Sequence, residues 1–242
     1  MGQTELALYC LLKEGLGTGL TEEMPVDVNW KKLVEIARIQ GVLAISMDGL
    51  QRLFKYNDYK PIGLDLRTKL EWYAMSVTIE KSYKKQFLSA NELSKIWHSY
   101  NIRTLLLKGF AYAAYYPKPF LRPASDMDCY LCGKYEEGNN AMEKLGISVN
   151  REDYRHSTFY FQNIFVENHK ICTTVRGSRQ RKHFELYLRS LLEKEDTETI
   201  KDSFLEKPCD RFNVLFYLQH CHRHFLREGI TLRYICDWAM MI

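Results

Sequence analysis

No apolar run in these 242 residues approaches the roughly 18 that a membrane-spanning helix needs; the longest near the N-terminus is Leu6–Leu12. A signal peptide is not legible, since Met1–Glu5 lacks a basic start and no small-residue cleavage site follows. The opening Met-Gly meets a myristoylation signal only in part, because Leu6 stands where that signal wants Ser or Thr. Seven cysteines are an odd count without framework spacing, which argues against a disulfide scaffold and for a reducing, cytoplasmic setting. Charge of one sign is missing too. The 34 Lys+Arg against 30 Asp+Glu leave +4, too little to point to nucleic acid, and the 16 tyrosines are too scattered for a base-stacking platform. There is no glycine-rich Walker loop and no Gly-x-Ser-x-Gly elbow, which counts against P-loop NTPases and serine hydrolases. Nor is there an internal repeat, a low-complexity tract or a Pro/Gly-rich linker. A hydrophobic content of 46% and a charged content of 26% are ordinary for a globular chain of this length, with a sizeable core.

What is present changes character along the chain. Trp30–Gln40 carries apolar residues at helical spacing and stops at Gly41; Gly41–Phe54 is a second, shorter segment, broken by Pro61–Gly63. Arg67–Tyr100 contains no Pro or Gly and reads as one long helix with a stripe through Leu70, Tyr73, Val77, Phe87, Leu93, Ile96 and Trp97. Arg103–Leu107 then reads as a buried strand turning at Lys108-Gly109 into a helix, Phe110–Tyr116. Asp126–Leu131 reads as a strand and Lys134–Leu145 as a helix. Ser157–Phe161 and Ile164–Lys170 form a hairpin around Gln162-Asn163. Helices are expected again at 183–193, 199–206, 211–227 and 232–242. The fold class is therefore α+β, a small mixed sheet flanked by helices. Its parts are an N-terminal helical region at 1–100, an α/β core at 101–175 and a C-terminal helical region at 176–242. Tyr234–Ile242 is an apolar helical segment without a stop signal, which leaves open a longer natural protein.

The most informative stretch is Ser125-Asp-Met-Asp128. Side chains alternate along a strand, so Asp126 and Asp128 share one face while Met127 and Cys129 enter the core. Two neighbouring carboxylates repel each other, and hard oxygen ligands of this kind want Mg²⁺ or Mn²⁺. In the later strand Phe165, Glu167 and His169 share a face, so an adjacent antiparallel strand would place Glu167 beside the pair. Lys108 and Gly109 open the short helix, with a backbone that can approach a phosphate and a cation beside it. Phosphates on one side and carboxylate-bound metal on the other describe a nucleoside triphosphate site. The alternative is a solvated acidic strand face.

These stretches resemble a known group. Leu106-Leu-Lys-Gly109, Tyr116-Pro117, Arg122-Pro-Ala-Ser-Asp-Met-Asp128 and Val166-Glu-Asn-His169 are similar to the uncharacterised bacterial nucleotidyltransferases of the DNA polymerase β-like superfamily. Leu215–His224 and Leu232–Asp237 resemble that family's helical region, so the likeness covers roughly 70–242. The superfamily's usual Gly-Ser at the phosphate turn is here Lys108-Gly109, and family members tend to run longer. The resemblance implies transfer of a nucleoside monophosphate from an NTP, ATP by expectation, to a hydroxyl with release of pyrophosphate. Asp126, Asp128 and Glu167 would be catalytic and metal-binding, and Lys108, Gly109, Arg122 and Ser125 would meet the phosphates. Arg122 has a structural ion pair as its alternative. The acceptor would be a small molecule or a protein hydroxyl. A silent nucleotide-binding module and an antitoxin-type enzyme that adds AMP to a protein are the rival functions.

Three further features carry alternatives. Cys129-x-x-Cys132 does not suit zinc, because three steps along a strand put the thiols on opposite faces. His220 and His224 share a helical face without the Glu of a zinc-protease motif, so they are either substrate contacts or partly buried structural histidines, and His224 has Asp237 as a conceivable partner; His169 would either orient Glu167 or touch substrate. Arg176–Lys182 is the one basic run, either a solvated loop or a contact for triphosphate or an anionic acceptor.

Overall fold

The computed structural model describes residues 2–19, 23–56, 59–174, 177–194 and 196–242. Its first four helices are α1 (Gln3–Gly15), α2 (Trp30–Ile39), α3 (Leu43–Tyr56) and α4 (Leu66–Ser99). Local chemistry sets several of their ends. Asn29 caps α2 by accepting from the Lys32 N–H at 3.0 Å, and Asp65 caps α4 by accepting from Thr68 N–H at 2.9 Å; each such cap contributes about 1 kcal/mol. Gly41, at φ +70°, ends α2 in the left-handed region that only glycine enters cheaply. Two other glycines set how closely helices meet. A Cβ on Gly49 would fall 2.0 Å from the Leu11 carbonyl oxygen, and one on Gly15 2.2 Å from that of Ile45, so α1 and α3 touch backbone to backbone.

The 34 residues of α4 span about 51 Å at 1.5 Å per residue. Its front half, through Trp72, joins an apolar cluster with α1–α3, and its rear half, through Tyr83, Ala90, Leu93 and Trp97, packs under the sheet. The sheet's strands are β1 (Thr104–Leu106), β2 (Asp126–Tyr130), β3 (His156–Phe161), β4 (Ile164–His169), β5 (Glu198–Thr199) and β6 (Leu205–Lys207), in the order β3-β4-β2-β1-β6-β5. Between them lie α5 (Phe110–Ala113), a 3₁₀ turn at Pro119–Leu121, α6 (Tyr135–Lys144) and α7 (Arg179–Lys194); α8 (Asp210–Arg227) and α9 (Leu232–Met241) follow. Met127, Cys129, Ile164 and Val166 face the α4 side, while Leu105, Leu107 and Tyr130 pack with α7 and α8 through Leu188, Leu191, Phe212 and Phe216. Helices thus cover both faces of a mixed sheet, as the α+β reading requires. Among the described residues no helix is long and apolar enough to cross a membrane.

Three sequence expectations are corrected here. The segment 199–206, read as a helix, instead forms β5, a turn at Asp202 (φ +58°) and β6, which pairs in parallel with β1. Asn91 of α4 holds that turn, accepting from Phe204 N–H at 3.0 Å, so tertiary partners outweigh a local pattern. The strand of Glu167 runs parallel to β2, not antiparallel, because the β3–β4 hairpin reverses the chain once more after α6. The helix after Gly109 is one turn long, ending at Ala113 rather than Tyr116.

Candidate active site

Register builds the site. Asp128 stands opposite Glu167 and Asp126 opposite Phe165 in the β2–β4 pair, while Thr158 stands opposite Glu167 and His156 opposite His169 in the β3–β4 pair. With a period of two, Asp126, Asp128, Glu167, His169 and His156 all project from the same face. There they meet Lys108 and Gly109 after β1, the 122–125 loop, and α8 and α9. Together these line a cavity of about 360 Å³. It contains every residue the sequence singled out for the site: Lys108, Gly109, Arg122, Ser125, Asp126, Asp128, Glu167, His169, His220 and His224.

At the centre is Asp128, 2% exposed. Lys108 Nζ lies 2.6 Å from its Oδ1, and His169 Nε2 lies 2.9 Å from the same oxygen. Burial alone would raise the Asp128 pKa; Lys108 and His169 outweigh it and hold the carboxyl well below its ordinary value. Asp126 moves the other way, raised by burial and by Asp128, although Ser125 Oγ donates to its Oδ1 at 3.0 Å. His169 also reaches Glu167 Oε2 at 3.4 Å. Burial opposes protonation of His169, but these two carboxylates prevail and raise its pKa. Gly109, at φ +54°, is tightly placed, for a Cβ there would meet the Asp126 carbonyl oxygen at 3.3 Å.

Arg122 is the residue whose place is most altered by the structure. Its Nε and Nη2 donate to the two Asp237 oxygens at 2.7 and 2.8 Å, and Nη1 donates to Pro123 O at 3.1 Å. Tyr116 OH donates to the same Asp237 at 2.6 Å. The guanidinium is thus committed to a buried ion pair with α9, the structural alternative that its sequence context left open. Asp237 is therefore not the partner of His224, whose Nδ1 meets Glu228. His220 is stacked near Tyr234 and 4.5 Å, centroid to centroid, from His224. Burial, then Lys108 and His224, push the His220 pKa down to about 3, so it stands neutral in the cavity wall.

One site residue went unread in the sequence. His156 lies outside the expected strand at 157–161, yet β3 begins with it and the two-residue alternation carries it onto the acidic face. The ligand atoms of His156, Glu167 and His169 lie within 4.8 Å of one another, and His156 Nδ1 is buried without a hydrogen-bond partner. A strand start one residue earlier was the missing signal. The Cys129–Cys132 pair contributes nothing of this kind: Cys129 is buried in the core and Cys132 sits in a turn at φ +51°. Of the basic run, Arg176 lies outside the described residues, while Arg179–Lys182 open α7.

The donor set suits divalent cations. Three carboxylates converge on one cavity, two of them on residues facing each other across a strand pair, and burial, then Asp128, raises the pKa of Asp126. Oxygen donors match Mg²⁺ or Mn²⁺, and the two imidazoles add nitrogen donors that favour Mn²⁺ over Mg²⁺. No curated protein and no solved structure matches the chain significantly. A family model, however, covers most of it, from the second helix through α9. The acidic strand pair, the Lys-Gly turn beside it and that match at residues 27–242 place the chain in the family described as uncharacterised nucleotidyltransferase, transferases of phosphorus-containing groups.

Proposed function

We propose that the chain moves a nucleoside monophosphate from an NTP, ATP in the first instance, to an acceptor hydroxyl and releases pyrophosphate. The observation that carries this reading is the register-paired Asp128–Glu167 with Asp126 on the same face, opening onto one cavity with Lys108 and Gly109. Asp126, Asp128 and Glu167 would hold Mg²⁺ or Mn²⁺. Divalent ions bound there would offset the triphosphate's charge and make the acceptor hydroxyl more acidic. Lys108 leaves Asp128 for a phosphate oxygen when the triphosphate enters, and Gly109 presents backbone without a side chain in the way. Glu167 takes the acceptor proton, and His169, held between Glu167 and Asp128, orients it. Arg122 acts at a distance, fixing the loop before Asp126 to α9. These seven residues leave α8, with His220, to face the base or the acceptor. We place the protein in the cytoplasm on its odd cysteine count without framework spacing.

One observation favours a second reading. Lys108 and His169 already satisfy Asp128 and would have to release it to a metal, which favours a domain that binds nucleotide without turning it over. Pyrophosphate release separates the two. Incubation with each NTP and Mg²⁺ or Mn²⁺, alone and with cell extract as acceptor source, should release pyrophosphate in wild type and not in Asp126→Asn or Glu167→Gln. Binding without release in wild type would favour the silent module. Labelled ATP, with label on a protein band rather than a small product, would identify the protein-modifying variant of the reaction.

A further inference from the structure

Beside the catalytic cavity lies a second, of about 640 Å³, and Arg155, Gln219 and Arg223 line both. Gln219, Arg223 and Arg227 are spaced i, i+4, i+8 and so occupy one face of α8; Arg181, in the first turn of α7, also lines the cavity. The charge is one-sided. Asp153 is the one acid among the described lining residues, and it is already taken by Arg155, whose Nε and Nη2 donate to it at 3.0 and 2.6 Å. Arg181, Arg223 and Arg227 have no carboxylate partner among the described residues. Burial, then Arg155 and Arg227, lower the Arg223 pKa, the direction expected of a cation crowded by cations.

A second observation separates this cavity from a solvated basic surface. Thr173 lines it, is 3% exposed, and its Oγ1 has no hydrogen-bond partner. The backbone around it is fixed: Cys172 and Thr173 N–H groups donate to the Glu185 carboxylate at 2.9 and 2.7 Å, and Arg189 Nε donates to it at 3.0 Å. The charge of Glu185 is spent locally, and the Thr173 hydroxyl is left as a buried polar group without a partner on a residue that lines the cavity. Buried polar groups are seldom left so.

We propose that this cavity binds the phosphate of a phosphomonoester acceptor, whose hydroxyl extends past Arg155 and Arg223 into the catalytic cavity. Guanidinium forks and a hydroxyl donor match a tetrahedral dianion, and three uncompensated arginines exceed what a single planar carboxylate would need. The volume is that of a small-molecule site. The inference rests on the nucleotidyl transfer reading and supplies the acceptor class that reading leaves open. In the transfer, the acceptor hydroxyl oxygen bonds to the α-phosphorus, the bond to pyrophosphate breaks, and the hydroxyl proton goes to Glu167. The arginines make and break no bonds.

Inorganic phosphate is the probe. It is titrated by calorimetry into the chain alone and into the chain saturated with an α,β-methylene triphosphate and Mg²⁺. One phosphate should bind in both cases. Affinity should fall tenfold or more in the Arg223→Gln/Arg227→Gln double variant, and several-fold in Thr173→Val, which keeps the side-chain shape and guards against misfolding of the first. Displacement of phosphate by the triphosphate would overturn the proposal by assigning the cavity to the donor's own phosphates, as would equal binding by wild type and both variants. A chain that takes triphosphate but no phosphate overturns this inference alone. One that takes phosphate but no triphosphate overturns the transfer reading, and the acceptor role with it.

Discussion

Asp126 and Asp128 stand two residues apart on one strand face, yet burial and neighbours drive them in opposite directions. Asp128 has Lys108 and His169 on a single oxygen and is stabilised as the anion; Asp126 has Ser125 and the repulsion of its neighbour. The signs set a pair of predictions. A raised pKa means that ionised Asp126 weakens the fold at neutral pH, so Asp126→Asn should raise the melting temperature of the ligand-free chain. Asp128→Asn removes the anion that Lys108 and His169 both contact and should cost about 2 kcal/mol. Both should lower turnover about a hundredfold or more through lost metal binding. Thermal unfolding beside a pyrophosphate assay checks this: a destabilised Asp126→Asn would show that Asp126 serves packing instead of chemistry. The alternation that places these two acids was legible in five residues of sequence. The Lys108–Asp128 contact was not, because nothing local in the sequence says that two groups 20 positions apart by number will meet.

At the scale of elements, two ion pairs connect parts of the chain that local patterns treat as separate. Arg103, just before β1, donates from Nε to Glu206 Oε1 at 2.9 Å, tying β6 to the sheet. Burial would raise the Glu206 pKa, but the bonds from Arg103 and Thr197 outweigh it and hold the carboxyl below its ordinary value. A lowered carboxylate contributes stability that is present above the unfolded-state value and is lost as pH falls through the folded one. Arg103→Gln should therefore be less stable than wild type at pH 7, with the gap closing as pH falls through the lowered Glu206 pKa; an unchanged gap in denaturant titrations at neutral and acid pH would sink the assignment. The second pair, Arg122 with Asp237, ties the loop before β2 to α9 and is buried on both sides. Arg122→Met should cost about 3–5 kcal/mol in urea unfolding, and much of that should return in Arg122→Met/Asp237→Leu, where no charge is left unpaired. These pairs also explain what the sequence left unreadable. Helix and strand identities from Trp30 to His169 follow from periodicity and stop signals, whereas β5 and β6 exist because β1 has an open edge and Asn91 holds their turn. The parallel direction of β4 depends on counting chain reversals, and a one-residue error at the start of β3 hid His156.

For the whole molecule, a net charge of +4 conceals a division: the candidate active-site cavity mixes carboxylates with Lys and Arg, while its neighbour has arginines and a single acid, Arg155 and Arg223 being shared between them. The division makes ligand effects on stability interdependent. A triphosphate entering alone meets three carboxylates and should stabilise the fold little. A divalent cation alone relieves the repulsion between Asp126 and Asp128 and should raise the melting temperature modestly. Together they should raise it by more than the sum, because each removes the charge that opposes the other. With the pair at a hundred times its dissociation constant, the linkage amounts to about 2.7 kcal/mol. Excess chelator should return the melting curve to that of the ligand-free chain, and Mn²⁺ should act at lower concentration than Mg²⁺ because His156 and His169 add nitrogen donors. His156→Ala should then weaken Mn²⁺ more than Mg²⁺. Melting shifts that simply add, with Asp126→Asn behaving as wild type, would mean that metal and nucleotide bind apart from each other and that the acidic strand pair is not where they meet.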